Sequence, residues 1–319
     1  MQRPDKAKLR SMKRDSSDLE RAACDPATVA VPPFVLANAD APARAVLLSV
    51  PHAGRYYPQS LLEAARVPVE ALQRLEDRYV DRLTADTAEQ GFMVQTATHA
   101  RAFIDLNRAP DEIDAGMVRD AALSRAATRV GKPSEKVLAG LGLFPRRLHR
   151  FGELWRSGFD WAELQARIAA IHRPYHQALE QRMDAALRAH GHALLIDLHS
   201  MPGLGGIAPA TLVIGDRHGA TAPPWLVEAI EQEVQSAGLR IAYNRPYAGG
   251  YIIARHSRPA RRRYAVQIEI DRTAYLDAQG QPERAACAGL SALVARVATV
   301  AEFGLAERFG PPLWSQAAE

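Results

Sequence analysis

Short apolar runs that end in chemically capable polar residues recur along this chain. Leu47-Leu48-Ser49-Val50 leads into Pro51-His52-Ala53-Gly54, and Ala193–Ile196 leads into Asp197-Leu198-His199-Ser200. Phe103-Ile104 runs into Asp105-Leu106-Asn107-Arg108, and Ala265–Ile268 runs into Glu269-Ile270-Asp271-Arg272. Runs of this length and composition read as buried strands. In open α/β sheets, ligands gather beyond the carboxyl ends of the strands. The polar ends of these runs therefore stand where chemistry would be.

Between the runs the hydrophobic period changes. Pro68 suits a first helical turn, and Leu72, Leu75, Tyr79, Val80 and Leu83 recur at helical spacing. A helix is expected from Pro68 to about Gln90, with Gly91 just past its end. The pattern also predicts helices over 161–190 (bent at Pro174), 224–236 and 282–303. Strands are expected over 46–50, 92–97, 101–106, 193–197, 211–214, 239–243 and 263–270. This alternation argues for a three-layer α/β sandwich, a mostly parallel mixed sheet flanked by helices. Residues 110–160 show no period and carry Gly131-Lys132-Pro133, Gly140, Gly142, Pro145 and Gly152. An irregular stretch this long is expected to form a lid or pocket wall. Residues 1–30 are polar and read as a flexible tail, and 31–319 as a single domain.

Composition narrows the function classes. The two cysteines, Cys24 and Cys287, give neither a disulfide framework nor a thiolate metal cluster. The formal charge is +4 and the pI about 9.2, but the arginines are spread along the chain. Short clusters such as Arg261-Arg262-Arg263 read as solvated surface, so no nucleic-acid partner is expected. No apolar run approaches the ~20 residues of a membrane span, and the N-terminus has no apolar core of a secretory signal. The expectation is a cytoplasmic protein with a small-molecule partner and no membrane; the oligomeric state is not legible.

Two histidines and a carboxylate at strand ends suggest a metal. His52 and His199 are the nitrogen ligands of choice, and catalytic zinc commonly has three protein ligands and an open position. The third ligand is sought in Leu75-Glu76-Asp77-Arg78-Tyr79-Val80-Asp81, with Asp77 preferred, then Glu76, then Asp81. One histidine at a strand end is most often a hydrogen-bonded structural group; two, with Glu269 on a third run, favour a site. Glu269 sits inside an apolar run, where a carboxylate is costly unless it is paired or has a task, and it is the candidate general base. Asn107 and Arg108 offer a carboxylate clamp. Arg101 could stabilise an oxyanion. Gly249-Gly250 allow close backbone approach to a ligand. The remaining histidines read as unpaired, with His172 and His176 on a surface helix face and His256 near a pocket-lining segment.

Taken together and in order, these blocks resemble the N-formylglutamate amidohydrolase (N-formylglutamate deformylase) family. The matching pieces are Ser49–Gly54, Asp77, Arg101 with Asp105–Pro110, Asp197–Ser200, Asn244-Arg245 with Gly249-Gly250, and Gln267–Ile270. The family is similar in fold to zinc carboxypeptidases and aspartoacylase. The resemblance implies one zinc ion on His52, Asp77 and His199, Glu269 as base and Arg101 at the oxyanion. It also implies Asn107 and Arg108 on the substrate α-carboxylate. We expect Arg245 to reach a side-chain carboxylate. Carboxypeptidases place a glutamate ligand three residues after the first histidine; here that position is Arg55, so the acidic ligand comes from elsewhere. The implied reaction is hydrolysis of N-formyl-L-glutamate to formate and L-glutamate. The alternatives are a deacylase for another N-acyl amino acid, a carboxypeptidase-like peptidase, and a non-catalytic small-molecule binder.

Overall fold

Side-chain alternation along the central strands explains how the layers form. The computed structural model describes residues 31–120, 133–205 and 209–310. The expected tail over 1–30 lies outside them. The chain divides into Met1–Pro32 and a compact unit, Pro33–Glu319, which holds every element below. Its strands are β1 Phe34–Ala37, β2 Val46–Val50, β3 Met93–Ala97, β4 Arg147–Leu148, β5 Gly152–Glu153, β6 Ala193–Met201, β7 Leu212–Gly215, β8 Ile241–Tyr243 and β9 Arg263–Asp271. Seven of them form one sheet in the order β1-β3-β2-β6-β9-β7-β8, and β4 pairs with β5 apart from it. The centre, β3-β2-β6-β9, is parallel. Antiparallel pairings bring in β1 on one side and β7 on the other, and β8 runs parallel to β7. This is the mixed sheet that the pattern predicts.

Alternate residues of β2, β6 and β9 enter different cores. Val46, Leu48, Val50, Leu194, Ile196, Leu198, Val266, Ile268 and Ile270 join one apolar cluster with the helices Pro224–Ser236 and Arg284–Phe309. Leu47, Ala193, Leu195 and Ala265 face the other cluster, built on Trp161–His190 and the loops before it. Toward the carboxyl ends that second face turns polar. Ser49, Asp197 and Gln267 stand in one register row, and His199 and Glu269 in the next. The period of two thus delivers five polar side chains to one face of an otherwise apolar sheet.

Three expectations change. The helix over 68–90 is broken into Val69–Leu72, Gln73–Leu75, Val80–Thr84 and Ala85–Glu89, with Glu76–Tyr79 outside it. Residues 101–106 form turns rather than a strand, tied by bonds from Phe103 and Ile104 N–H to the Ala100 carbonyl. Arg284–Phe309 is long and apolar enough to cross a membrane, which no run was expected to be; half of its most apolar window is buried. Leu290, Leu293, Val294, Val297 and Ala301 pack into the first cluster, which accounts for its composition. The 161–190 segment is helical throughout but passes through a π-helical turn, Ile168–His172, just before Pro174. A π-turn widens the helix locally and so accommodates the proline ring.

Candidate functional site

The broken helix is what aims Asp77. Its N–H donates to the His52 carbonyl at 2.9 Å, and its own carbonyl accepts from Val80 N–H. Tyr79 takes a left-handed conformation, φ 61°, to restart the chain. The turn separates three carboxylates that a regular helix would have kept close. Asp77 points into the site; Glu76, fully buried, accepts from the Tyr57 hydroxyl and from Arg78 at 3.0 Å. Asp81 pairs with Arg55 at 2.7 and 2.8 Å, away from the site. Of the carboxylates weighed for the third ligand, only Asp77 reaches His52 and His199.

His52 Nδ1, His199 Nδ1 and Asp77 Oδ2 converge. The two nitrogens are 3.1 Å apart, and the carboxylate oxygen lies 3.0 Å from His199 and 3.4 Å from His52. All three side chains are buried. The far nitrogen of each ring meets another carboxylate: His52 Nε2 and Asp105 Oδ1 at 2.7 Å, His199 Nε2 and Asp197 Oδ2 at 2.8 Å. Those carboxylates can only accept, so each ring carries its proton on Nε2. With both rings neutral, two nitrogen lone pairs and a carboxylate oxygen would face one another. That arrangement is repulsive unless positive charge sits among them. The titration of His199 agrees: burial pushes its imidazole down, yet Asp197, Asp77 and Glu269 hold it well above the ordinary histidine value. A donor set of two imidazoles and a carboxylate, with carboxylates behind both rings, fits a zinc ion.

The outer partners are themselves fixed. Asp197 accepts from Ser49 Oγ at 2.9 Å, and Ser49 Oγ is 2.9 Å from the Tyr175 hydroxyl. Asp105 accepts from Arg101 Nε at 2.8 Å and from Asn107 N–H at 2.9 Å. Burial pushes the Asp105 carboxyl up, but Arg101 and His52 hold it well below the ordinary range. Arg272 donates to Asp77 Oδ1 at 2.8 Å and to Ser200.

Glu269 stands opposite His199 in the β6–β9 register, on an interior strand. Gln267 donates to it at 2.8 Å, and burial raises its carboxyl above the ordinary value, outweighing the effect of His199. Asn107 Nδ2 donates to Gln267 Oε1 at 3.2 Å and Asn107 Oδ1 accepts from Ile252 N–H at 2.8 Å. At Gly250 a Cβ would lie 2.4 Å from the Asn107 amide, so this position needs glycine; Gly249 has φ +109°.

These residues open onto a pocket of about 300 Å³, which His52, Asp77, Arg101, Asn107, Arg108, His199, Gly249, Gly250 and Glu269 all line. Arg245, expected at a second substrate carboxylate, is exposed and does not line it. Its neighbour Asn244 instead ties the turn at Asp216 and His218. Lys136, Arg74 and Arg272 supply cations to the pocket that were not singled out for it. Arg272 closes the Glu-Ile-Asp-Arg run and was legible there; Lys136 lies in the irregular segment, where no pattern marks it. The unpaired reading of the other histidines is corrected too. His172 and His176 are buried rather than on a surface face, because the π-turn and the long helix turn them inward. His256 is fully buried against His176.

Fold and site together define an α/β protein with a buried His–Asp–His cluster and a glutamate at the carboxyl ends of parallel strands. The model of the family described as N-formylglutamate amidohydrolase matches residues 44–276, and the chain belongs to that family. It is 28% identical over 241 residues to an N-formylglutamate deformylase of Pseudomonas putida, covering 73% of this chain and 82% of that protein. The crystal structure of N-formylglutamate amidohydrolase from Ralstonia eutropha JMP134 is similar at 32% identity with a TM-score of 0.76, over 86% of this chain and 100% of that one. A gene product of Agrobacterium tumefaciens, 17% identical with a TM-score of 0.61 over 86% of this chain and 95% of that one, shares the fold.

Proposed function

We propose that the protein hydrolyses the amide bond of N-formyl-L-glutamate, giving formate and L-glutamate, in a zinc-dependent reaction. The observation that carries this reading is the convergence of His52 Nδ1, His199 Nδ1 and Asp77 Oδ2 beside the buried Glu269. Relatives named for this activity support the choice of substrate. His52, Asp77 and His199 would hold one zinc ion, which when bound supplies Lewis acidity toward the formyl carbonyl and a nearby water.

The chain's own residues perform the remaining work. Glu269 accepts a proton from the attacking water and returns it to the amide nitrogen as the C–N bond breaks. A raised carboxyl pKa suits both halves of that transfer. Arg101, held by Asp105, donates toward the oxygen where negative charge develops. Arg108 binds the α-carboxylate, while Asn107, locked between Gln267 and Ile252 N–H, shapes the wall beside it. Gly249 and Gly250 keep that wall close. The second carboxylate of the substrate meets Lys136. Among the described residues Lys136 has no ion pair, and burial together with Arg108 and Arg101 lowers its pKa, the signature of a cation that gains from an anion.

Protein purified with zinc should contain about one equivalent of metal per chain, and Asp77→Ala should lose it. Full turnover by metal-free protein would contradict the reading. A panel of N-formyl, N-acetyl and peptide substrates separates it from the other deacylase and peptidase activities; a preference for N-formyl-L-glutamate over N-formyl-L-glutamine is expected.

A further inference from the structure

Behind the pocket wall lies a chain of hydrogen bonds that the reaction above does not use. His176 Nε2 is 3.0 Å from the Leu106 carbonyl, His176 Nδ1 is 3.0 Å from His256 Nε2, and His256 Nδ1 is 3.1 Å from Glu180 Oε2. The two rings are within 12° of coplanar with centroids 5.3 Å apart, the geometry of an in-line N–H···N bond. His172 Nε2 makes a parallel contact, 2.9 Å from the Arg108 carbonyl. Both carbonyls flank Asn107, so the histidines hold the backbone that presents Asn107 and Arg108 to the pocket.

Counting protons across this chain gives a definite answer. Its two ends, a carbonyl and a carboxylate, can only accept. The Leu106 bond needs a proton on His176 Nε2, and the Glu180 bond needs one on His256 Nδ1. The middle bond needs another, on either His176 Nδ1 or His256 Nε2. Two neutral imidazoles carry only two protons between them, and the three bonds require three. Glu180 does not supply the extra proton: the hydrogen bond from His256, with Arg263 at 2.9 Å on its other oxygen, lowers its carboxyl to about 2.

We propose that His176 and His256 share a single imidazolium charge, and that this charged pair is a positioning device for the Leu106–Arg108 wall of the pocket. The groups facing the pair are Glu180, Arg263, Arg255 and His172, with Tyr175 and Tyr251 against the His176 ring and Asp184 behind Arg263. Burial first of all, with Arg255 and, at His176, the neighbouring imidazoles, pulls both rings below the ordinary histidine value, and Glu180 is the anion in contact that opposes this; the shared charge is carried by the three contacts and their proton count, not by the titration. Loss of the shared proton would leave two lone pairs facing each other at the middle bond. The rings would separate, and Leu106 would lose its donor. The wall would loosen on the side where the substrate carboxylate binds, while Glu269 and the His–Asp–His cluster, held by their own partners, would stay in place. A carboxylate-binding defect is therefore expected rather than a chemical one. This consequence rests on the proposed substrate; the proton count does not.

The test uses the full-length protein labelled with [15N]histidine. Long-range 1H–15N spectra at pH 7 should show three protonated ring nitrogens shared by His176 and His256, and Glu180→Gln should remove one of them. Two neutral rings in the unaltered protein would overturn the proposal whether or not N-formyl-L-glutamate is the substrate. Glu180 is 44% exposed at its side chain, so its variants should fold. With N-formyl-L-glutamate, Glu180→Gln should raise KM about tenfold, the loss of roughly one charge-assisted hydrogen bond, with kcat nearly unchanged. Glu180→Asp should restore much of it. Loss of the proton with KM unchanged would overturn the positioning role, as would a fall in kcat alone.

Discussion

At the scale of single residues, the chemistry depends on a few buried groups whose environments leave little freedom. Among the described residues Glu269 is hydrogen-bonded only by Gln267, and it sits opposite His199, so Glu269→Gln should keep the fold and the bound metal. The expected loss is about 100-fold or more in kcat, the contribution of a general base. Retained activity would remove Glu269 from that role. Lys136→Met should raise KM for N-formyl-L-glutamate while leaving N-formyl-L-glutamine turnover little changed; equal effects on both substrates would show that Lys136 does not select the second carboxylate. Arg245→Ala should have no effect on KM, because the side chain is exposed outside the pocket.

At the scale of elements, the central strands carry both the core and the site. Ile196 is fully buried one residue before Asp197. Ile196→Ala should destabilise by about 2–5 kcal/mol, read as a lower urea midpoint at constant slope. An effect within experimental error would mean that this layer is not the core. Much of this was legible in the sequence. The runs leading to His52, His199 and Glu269 mark the carboxyl halves of strands: β2 and β9 fall where the pattern puts them, while β6 runs four residues past the expected end at Asp197 and so contains His199. The site was also legible in Asp77, but for a reason that periodicity misstates. Leu72, Leu75, Val80 and Leu83 keep helical spacing in the sequence, yet Leu72 and Leu75 pack into one core and Val80 and Leu83 into the other, on short helical turns either side of the break. At the break, Asp77 meets His52, His199 and Arg272, Glu76 meets Tyr57, and the Arg78 carbonyl accepts from Tyr275, contacts from far away in sequence that no local pattern records. The same limit hid Arg272's bond to Asp77, Lys136 in the pocket, and the His176–His256 contact. Each joins residues from different elements, and only the assembled sheet brings them together.

At the scale of the whole molecule, buried histidines set the response to acid. Burial lowers His99 and His192 to about 4 each, from an ordinary value of 6.5. In the unfolded chain both protonate below about pH 6.5; in the fold they stay neutral to about pH 4. The unfolded state therefore binds more protons across that window, and stability rises with pH through it. Urea midpoints should fall as the pH is lowered from about 6.5 to 4, and His192→Asn should flatten the slope. A midpoint that rises on acidification would contradict the assignment of neutral rings.

The chain joins an α/β sheet whose one face turns polar at its carboxyl end to a pocket rich in cations and a cluster of donors suited to one metal ion. The most direct measurement of what this assembly does is turnover of N-formyl-L-glutamate by the untreated protein, after chelation, and after zinc is restored. Turnover that disappears with the metal and returns with zinc is predicted. Turnover unaffected by complete chelation, or absent with zinc bound at His52, Asp77 and His199, would contradict it.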